Sequence, residues 1–211
     1  MRQREPLSSL LLYHLSKWSV VSPLLHTYFR GRIYGADNVP TRGGVLVVSN
    51  HASYFDPPIL SCAVGRPVAF MAKEELFKNP VFKQIIQTYG AYPVKRGKGD
   101  RSAIRSAIGA LNDGWATGVF LQGNRTQSGK ITNPKLGAAL IAAKANVPIL
   151  PVSLWGTEKI LLKSRKFPVS TPITVRIGEL IAPPQAGEKE ELASITQKCA
   201  EVINNLHSLG R

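Results

Sequence analysis

The apolar positions of this chain form two kinds of pattern that alternate along the sequence. Short continuous apolar runs, which are typical of buried strands, recur from residue 45 onwards. Between several of these runs, apolar residues repeat at intervals of three and four, the period of an amphipathic helix. The predicted strands cover residues 45–48, 67–71, 90–95, 118–121, 147–154 and 173–177.

Three stretches between or after these runs predict helices. Ile104, Ile108 and Leu111 are spaced by four and three residues, and Asp100 is placed to cap that helix. Residues 134–145 open with proline and are rich in alanine, as expected for a helix packed closely on a sheet. Buried strands alternating with helices predict an α/β fold, with a mixed central sheet flanked by helices. The C-terminal helical pattern consists of Leu192, Ile195, Cys199, Val202 and Leu206.

The first 32 residues follow neither pattern, and we predict them to be an N-terminal helical segment attached to a domain of residues 33–211. His14, Lys17 and Pro23 interrupt the apolar stretch, which is therefore too broken for a membrane-spanning helix. Lys17 also argues against a secretory signal, since it breaks the apolar region and no clear cleavage site follows.

Two interpretations of this segment stay open. Short helices, hinged near Pro23, could pack on the domain, or they could lie at a membrane interface. The aromatic residues and the arginines at both ends of the segment favour the interface.

Composition and charge narrow the function classes. The chain is 44% apolar and 19% charged, which excludes general disorder. It carries 27 Lys and Arg against 13 Asp and Glu, a net charge of +14, so its partners are expected to be anionic. No basic stripe interleaved with exposed aromatics marks a nucleic-acid footprint. Cys62 and Cys199 cannot form a disulfide framework, and two free thiols fit a reducing, cytosol-facing compartment.

A candidate catalytic pair follows the first predicted strand. Residues 49–58 read SNHASYFDPP, so His51 lies in a loop at a strand end. Asp56 precedes two prolines, which predicts that it caps a helix. The loop can fold the carboxylate onto the imidazole, which fixes the tautomer and makes the other ring nitrogen a general base. Taken alone, this spacing is more often a structural histidine beside a capping aspartate.

Four blocks in order make the catalytic interpretation the stronger one, because they resemble the motifs of the glycerolipid acyltransferases. The similarity is greatest to the 1-acylglycerol-3-phosphate acyltransferases, and it covers roughly residues 30–180. The blocks are Asn50-His51-x4-Asp56, GAYPVKR at 90–96 (preceded by MAKEELF at 71–77), FLQGNRT at 120–126 and VPILPV at 147–152.

The resemblance implies an O-acyltransferase with a glycerolipid acyltransferase-like fold. His51 would take the proton from the sn-2 hydroxyl of 1-acylglycerol-3-phosphate as it attacks an acyl thioester, and Asp56 would orient His51. The donor would be acyl-ACP or acyl-CoA as a co-substrate, with no bound cofactor and no metal. Pro151 would shape a wall for the acyl chain or serve as core packing. The implied substrate-binding residues are Asn50, Lys73, Arg96, Gln122, Gly123 and Arg125.

The third block departs from the family pattern. Leu121, Gln122 and Asn124 stand where the family has Pro, Glu and Thr. Glutamine keeps an acceptor oxygen and adds donors, but it drops the negative charge. We favour a working enzyme, with two alternatives: the same chemistry on another acceptor (a lysophospholipid with a head group, a glycolipid or another alcohol), or a non-catalytic lipid-binding protein.

The positive charge falls into two regions that suit this function. Residues 1–36 hold five cations and one anion beside apolar and aromatic residues, as expected for docking on an anionic membrane surface. Residues 71–105 hold eight cations and three anions around the predicted phosphate site. We therefore expect a membrane-associated protein on the cytoplasmic face.

Overall fold

The computed structural model describes residues 5–80, 83, 86, 91–94, 101–161, 167–185 and 188–211. In this part of the chain seven strands form one sheet, in the order β1-β7-β6-β2-β5-β3-β4. The five strands from β6 to β4 run parallel, whereas β7 is antiparallel to β6 and parallel to β1. The predicted mixed sheet is confirmed. The strands are β1 (Arg32–Tyr34), β2 (Val45–Ser49), β3 (Val68–Lys73), β4 (Tyr92–Val94), β5 (Ala116–Phe120), β6 (Ile149–Trp155) and β7 (Thr174–Ile177).

Helices cover both faces of the sheet, which is why its central strands are apolar on both sides. Val47 packs in the core cluster that contains Leu60 of α2, on the face that the N-terminal segment also covers. Val48, the next residue of β2, packs in the opposite cluster with Ile141 of α4 and Ile203 of α5. The helices are α1 (Leu7–Ser16), α2 (Asp56–Val64), α3 (Arg101–Asn112), α4 (Gly137–Ala145) and α5 (Lys189–Ser208).

Some helix and strand boundaries differ from those predicted from the sequence. β1 was not predicted, because its three residues are too few to display an apolar pattern. The helix predicted from residue 134 begins only at Gly137, because the N–H of Lys135 donates to the carbonyl of Leu121 at 2.8 Å and keeps this stretch in the preceding loop. Asp100, the predicted cap of α3, lies outside the described residues, as do both ends of the predicted strand at 90–95.

The N-terminal segment has helical backbone through Pro23, the position at which the sequence predicted a hinge between short helices. After α1, the chain forms two π-helical turns, Lys17–Val21 and Leu24–Tyr28, and Pro23 has helical dihedrals of φ −56° and ψ −47°. Proline lacks an N–H and crowds the preceding turn, and the wider π-helical turns on either side of it accommodate both defects.

One face of this segment packs on the domain. The Tyr13 hydroxyl donates to the carbonyl of Ser61 in α2 at 2.9 Å, and Leu25 and Phe29 are each only 1% exposed. Glu5, just before α1, accepts bonds of 2.9 and 2.6 Å from Nε and Nη2 of the buried Arg66. The segment is therefore part of the domain core on one side.

The other face of the segment is apolar and exposed. Leu7, Leu11, Leu15 and Trp18 follow one another at intervals of one helical turn, and they are 65–84% exposed. Within the described ranges, no helix is both long enough and apolar enough to cross a membrane.

Candidate active site

The carboxyl ends of the parallel strands meet at one edge of the sheet, and the predicted site residues follow them. The loop between β2 and α2 carries His51, and the loop between β5 and α4 carries Gln122 and Arg125. β2 and β5 are paired, with Ser49 opposite Phe120, so the two loops leave the sheet side by side. This edge is where α/β sheets usually hold their sites.

His51 and Asp56 form a hydrogen-bonded pair in the first of these loops. Nδ1 of His51 lies 2.7 Å from Oδ2 of Asp56, whose side chain is fully buried. The same oxygen accepts the backbone N–H groups of Ala52 and Ser53 at 2.7 and 2.8 Å. With a carboxylate on Nδ1, the proton of the neutral imidazole lies there, and Nε2 keeps its lone pair.

The capping role predicted for Asp56 is wrong. α2 begins at Asp56 itself, with Phe55 before it, and no side chain caps the helix. The carboxylate is turned back into the loop, where His51, Ala52 and Ser53 use it. The two prolines still occupy the first turn of α2, where a missing N–H costs nothing.

The imidazole of His51 also lies flat against the ring of Phe120. Their ring centroids are 3.8 Å apart and the two planes differ by 9°. The side chain of His51 is 17% exposed, and within the described part of the chain Nε2 has no hydrogen-bond partner. The imidazole of His51 is thus held at its edge by Asp56 and on its face by Phe120, and the lone pair of its Nε2 is left available.

Asn50, which precedes His51, uses its side chain to bind backbone groups. It is 1% exposed, and its Nδ2 donates to the carbonyls of Gly129 and Leu154, both at 2.8 Å. Its Oδ1 accepts the N–H of Leu154 at 2.8 Å. Because backbone groups use its polar atoms, the geometry favours a role in joining the loops over the predicted contact with substrate.

Besides the bond from Asn50 to Gly129, two further contacts join the loops that follow β2 and β5. The N–H of Thr126 donates to the carbonyl of His51 at 2.8 Å. The guanidinium carbon of Arg125 lies 3.5 Å from the ring centroid of Tyr54, which belongs to the loop between His51 and Asp56. The loop that carries His51 therefore also positions an exposed arginine.

Gln122 uses its carbonyl oxygen within its own loop. Oε1 accepts the N–H groups of Thr132 and Asn133, the second at 3.0 Å, and the hydroxyl of Thr132 at 3.2 Å. The oxygen that sequence reasoning assigned to the acceptor thus stabilises the turn before α4. A glutamate at this position could accept the same bonds, so the replacement leaves this function of the side chain intact.

The other predicted site residues are spread along the same edge or behind it. Gly123 lies exposed in the loop after β5, with a positive φ of 73°. Pro151 is buried in β6 beside α5, since its ring faces the space above Gly178 and near Val202, and this location favours core packing.

Of the cationic residues predicted to bind phosphate, Lys73 is described only in its backbone, and Arg96 is not described. The backbone of Lys73 ends β3, opposite Val94 of β4, and its side chain lies outside the described part of the structure. Arg96 also lies outside it. Among the described residues, no group of three or more His, Cys, Asp or Glu side chains could hold a metal ion.

A buried histidine lies behind the site. A Cβ on Gly129 would be 2.6 Å from Nε2 of His207 and 3.6 Å from Nδ2 of Asn50, so only glycine fits between them. Burial lowers the pKa of His207; Glu158 opposes this shift, and Lys130 and Arg176 add to it. In the described chain Nε2 of His207 has no hydrogen-bond partner.

Three residues of the site are not among those predicted from the sequence, although all of them lie in or beside the matching blocks: Phe120, Tyr54 and Thr126. Nothing in a single sequence separates Tyr54 from an ordinary loop aromatic. Phe120 carried one usable signal: Gly118 precedes it by two residues and therefore faces the same side of β5, which leaves room for a second ring.

Comparison with known proteins identifies the family. The family model described as Acyltransferase matches residues 30–155, which is more than half of the chain. The chain belongs to this acyltransferase family, as the four blocks predicted. Its class of enzyme is O-acyltransferase.

Individual relatives agree with this assignment. The 1-acyl-sn-glycerol-3-phosphate acyltransferase of Borreliella burgdorferi is 27% identical over 182 residues, which are 84% of this chain and 72% of that protein. The protein of the same name from Bacillus subtilis is also 27% identical over 182 residues, 84% of this chain and 88% of its own length. The chain spans only 42% of the longer chloroplast relative from Brassica napus, at 30% identity over 68% of this chain.

A solved structure shares the fold. The crystal structure of the 1-acyl-sn-glycerophosphate (LPA) acyltransferase PlsC from Thermotoga maritima superposes with a TM-score of 0.73 and 28% sequence identity. The match covers 95% of this chain and 86% of the Thermotoga chain. It therefore includes the N-terminal segment as well as the sheet.

Proposed function

We propose that the protein transfers a fatty acyl group from an acyl thioester to the sn-2 hydroxyl of 1-acylglycerol-3-phosphate, giving phosphatidic acid. The acceptor is supported by the names of the relatives. The observation that carries the chemistry is the 2.7 Å hydrogen bond between Nδ1 of His51 and Oδ2 of Asp56, at the strand edge where the loops converge.

The reaction needs one proton carrier and no protein nucleophile. Nε2 of His51 takes the proton of the acceptor hydroxyl as its oxygen attacks the thioester carbonyl. Asp56 stabilises the imidazolium that forms. The tetrahedral intermediate collapses, the C–S bond breaks, and the imidazolium returns the proton to the departing thiolate. His51 ends in its starting state, ready for another cycle.

The cysteines support a direct transfer. Cys62 and Cys199 are free and buried. Burial raises the pKa of the Cys199 thiol to about 11, and it also raises that of Cys62. A thiol that is protonated and shielded from substrate is a poor nucleophile, so an acyl-cysteine intermediate is not part of the proposal.

The phosphate of the acceptor needs cations beside the base. Arg125 is exposed, and its guanidinium is stacked on Tyr54 in the His51 loop. A planar guanidinium can donate two parallel hydrogen bonds to one phosphate. We assign the phosphate contact to Arg125, together with Arg96, to which the family resemblance points, and Lys73, a cation at the end of β3.

The second candidate function is the same reaction with a different acceptor. It is based on the residues of the third block that differ from the family motif. Gln122 lacks the charge of the family's glutamate, and Asn124 replaces its threonine. However, Oε1 of Gln122 bonds to the backbone of Thr132 and Asn133, a function that does not require charge. The replacement of glutamate by glutamine is therefore not by itself an argument for another acceptor.

A donor and acceptor panel tests the proposal. The purified protein is incubated with labelled acyl-CoA or acyl-ACP and with 1-acylglycerol-3-phosphate, a choline lysophospholipid or a glycolipid. We expect label in phosphatidic acid with at least one donor. Transfer to the choline lysophospholipid or the glycolipid alone would establish the second candidate instead. No transfer to any acceptor would overturn both and leave a non-catalytic lipid-binding protein.

We also propose that the N-terminal segment docks on an anionic membrane, where both the lipid acceptor and the product reside. Leu7, Leu11, Leu15 and Trp18 form an exposed apolar stripe, while the opposite face packs on the domain. Lys17, at the same end of the stripe as Trp18, adds positive charge. Apolar and aromatic side chains beside cations are typical of interfacial helices. Thioester donors place this contact on the cytoplasmic face.

Vesicle binding distinguishes this docking from a purely structural role. We expect the protein to sediment with phosphatidylglycerol vesicles at about 0.1 M salt and to be largely released at about 1 M salt. Leu15→Glu should weaken binding, whereas the control Leu180→Glu, at an exposed leucine just beyond β7, should bind normally. Equal binding of both variants would contradict the assignment of the stripe.

A further inference from the structure

Three flat rings lie in a column at the base of the site. His51 stacks on Phe120 with a centroid distance of 3.8 Å, and Phe120 in turn lies beside Phe70, with centroids 5.6 Å apart and planes 16° from parallel. Phe70 belongs to β3 and Phe120 ends β5, so the two lower rings are carried by paired strands of the sheet.

A glycine makes room for the column. Gly118 of β5 lies directly opposite Phe70 in the strand register. A Cβ on Gly118 would come within 2.2 Å of Cε1 of Phe70, so any other residue would push this ring away. Phe70 therefore lies over the glycine and against Phe120, which faces the same side of β5.

The column supplies a restraint that Asp56 cannot. A single hydrogen bond at Nδ1 fixes one edge of the imidazole, but it leaves the ring free to swing about the Nδ1–Oδ2 line. A flat ring packed against the imidazole face stops that swing. With both contacts, the direction in which the Nε2 lone pair points is determined.

We infer that Phe120 is a positioning residue for the general base His51, and that Phe70, seated over Gly118, holds Phe120 in place. Phe120 acts through His51, by packing against the face of its ring. The inference rests on the proposed function, because it assumes that His51 accepts the hydroxyl proton. It adds Phe120 and Phe70, on two neighbouring strands, to the residues that orient His51 for the proton transfer.

Kinetics of three variants test the inference. Phe120→Leu keeps the position apolar but removes the flat face, and a base misplaced by about an ångström costs up to about 100-fold in rate. We expect kcat to fall about 10- to 100-fold while KM for the acceptor stays within about twofold. Phe120→Tyr retains the ring and should keep most of the activity. Phe167→Leu, the same change at an 80% exposed residue, is the matched control and should leave kcat unchanged.

Proton NMR gives a readout that does not depend on activity. The ring current of Phe120 should shift the imidazole protons of His51 upfield in the unmodified protein, and the signals are assigned by their loss in His51→Ala. They should return towards ordinary values in Phe120→Leu, and stay shifted in Phe120→Tyr. Should Phe120→Leu fail to fold, Phe70→Leu removes the lower ring and should reduce the shift partially.

The outcomes separate this inference from the proposed function. Ordinary His51 shifts in the unmodified protein, or an unchanged kcat in a folded Phe120→Leu, would overturn the positioning role and leave the proposed function standing. Upfield shifts in a protein that transfers no acyl group would overturn the proposed function and, with it, the catalytic part of the inference.

Discussion

The guanidinium of Arg125 lies over the ring of Tyr54, 3.5 Å from its centroid, and so joins the two loops of the site. Tyr54 comes between His51 and Asp56 in the sequence. The position of Arg125, the residue proposed to bind phosphate, is thereby coupled to the loop that holds His51, the proposed base. This coupling fits a reaction in which the phosphate and the hydroxyl belong to one acceptor molecule.

This stacking predicts a binding defect when the ring is removed. An exposed cation–π contact is worth about 0.5–1 kcal/mol, so Tyr54→Leu should raise the KM for the acceptor about two- to fivefold. The kcat should change little, because the His51–Asp56 bond does not involve this side chain. Steady-state kinetics with a varied acceptor concentration measure both constants. Tyr54→Phe keeps the ring as a control, and a normal KM in Tyr54→Leu would contradict the assignment.

Gln122 is predicted to act through its oxygen. Gln122→Met has a similar size but cannot accept the N–H groups of Thr132 and Asn133. We expect its free energy of unfolding to fall by about 1–2 kcal/mol, since each lost hydrogen bond costs about 1 kcal/mol. Chemical denaturation measures this change. A variant as stable as the unmodified protein would show that the turn does not depend on Gln122.

Gln122→Glu tests the departure from the family pattern separately. Its carboxylate can accept the same backbone bonds, so we expect the fold and the activity to be retained. The added negative charge should shift the preference among acceptors, as measured by kcat/KM across the panel described above. Identical preferences in the two proteins would refute the idea that glutamine tunes the acceptor.

The main part of the fold was predictable from local patterns. β2 and β6 are mostly apolar and buried because helices cover both faces of the sheet, and such runs are visible in a single sequence. β1 could not be found, because its three residues owe their conformation to pairing with β7, which is far away in the sequence. The helical path through Pro23 likewise depends on packing against the domain, which a local proline rule does not include.

The site was predictable only where a spacing has a chemical meaning. His51 and Asp56 belong to one loop, so their meeting could be anticipated. The contacts of Phe120 with His51 and of Arg125 with Tyr54 join segments about 70 residues apart, and only the strand order brings them together. The sequence predicts substrate contact for Asn50, because nothing in it shows that the backbone of Gly129 and Leu154 uses the Asn50 amide.

Arg66 is predicted to be a major contributor to stability. Besides binding Glu5, it donates to the carbonyls of Pro40, Gly43 and Gly114, at 2.8 to 3.1 Å. Arg66→Met would leave the buried Glu5 unpaired, and breaking a buried ion pair costs about 3–5 kcal/mol. Urea denaturation measures the loss. The double variant Arg66→Met with Glu5→Leu should recover part of it, and an equally large loss in both would show that the ion pair itself is not the cause.

Because His207 is buried, we predict that the free energy of unfolding decreases at acidic pH. Its pKa is lowered in the folded state from 6.5, chiefly by burial, with Glu158 acting against the shift and Lys130 and Arg176 with it. Below pH 6.5 the unfolded chain therefore takes up a proton that the folded chain does not, and stability falls until the pH passes the lowered pKa. His207→Gln should lack this contribution. Free energies of unfolding at about pH 7.5 and about pH 5.5 should diverge between the two proteins, and parallel curves would contradict the prediction.

The most direct measurement is the rate of phosphatidic acid formation by the unmodified protein and by His51→Ala, with 1-acylglycerol-3-phosphate and a thioester donor. General-base catalysis contributes about 100- to 10,000-fold, so we expect the variant to lose at least about 100-fold in kcat while it unfolds at the same denaturant concentration. Asp56→Asn keeps the shape of the side chain but not its charge, and its kcat should lie between those of the unmodified protein and His51→Ala. An unmodified protein that forms phosphatidic acid, together with a folded His51→Ala that forms it equally fast, would contradict the proposed mechanism.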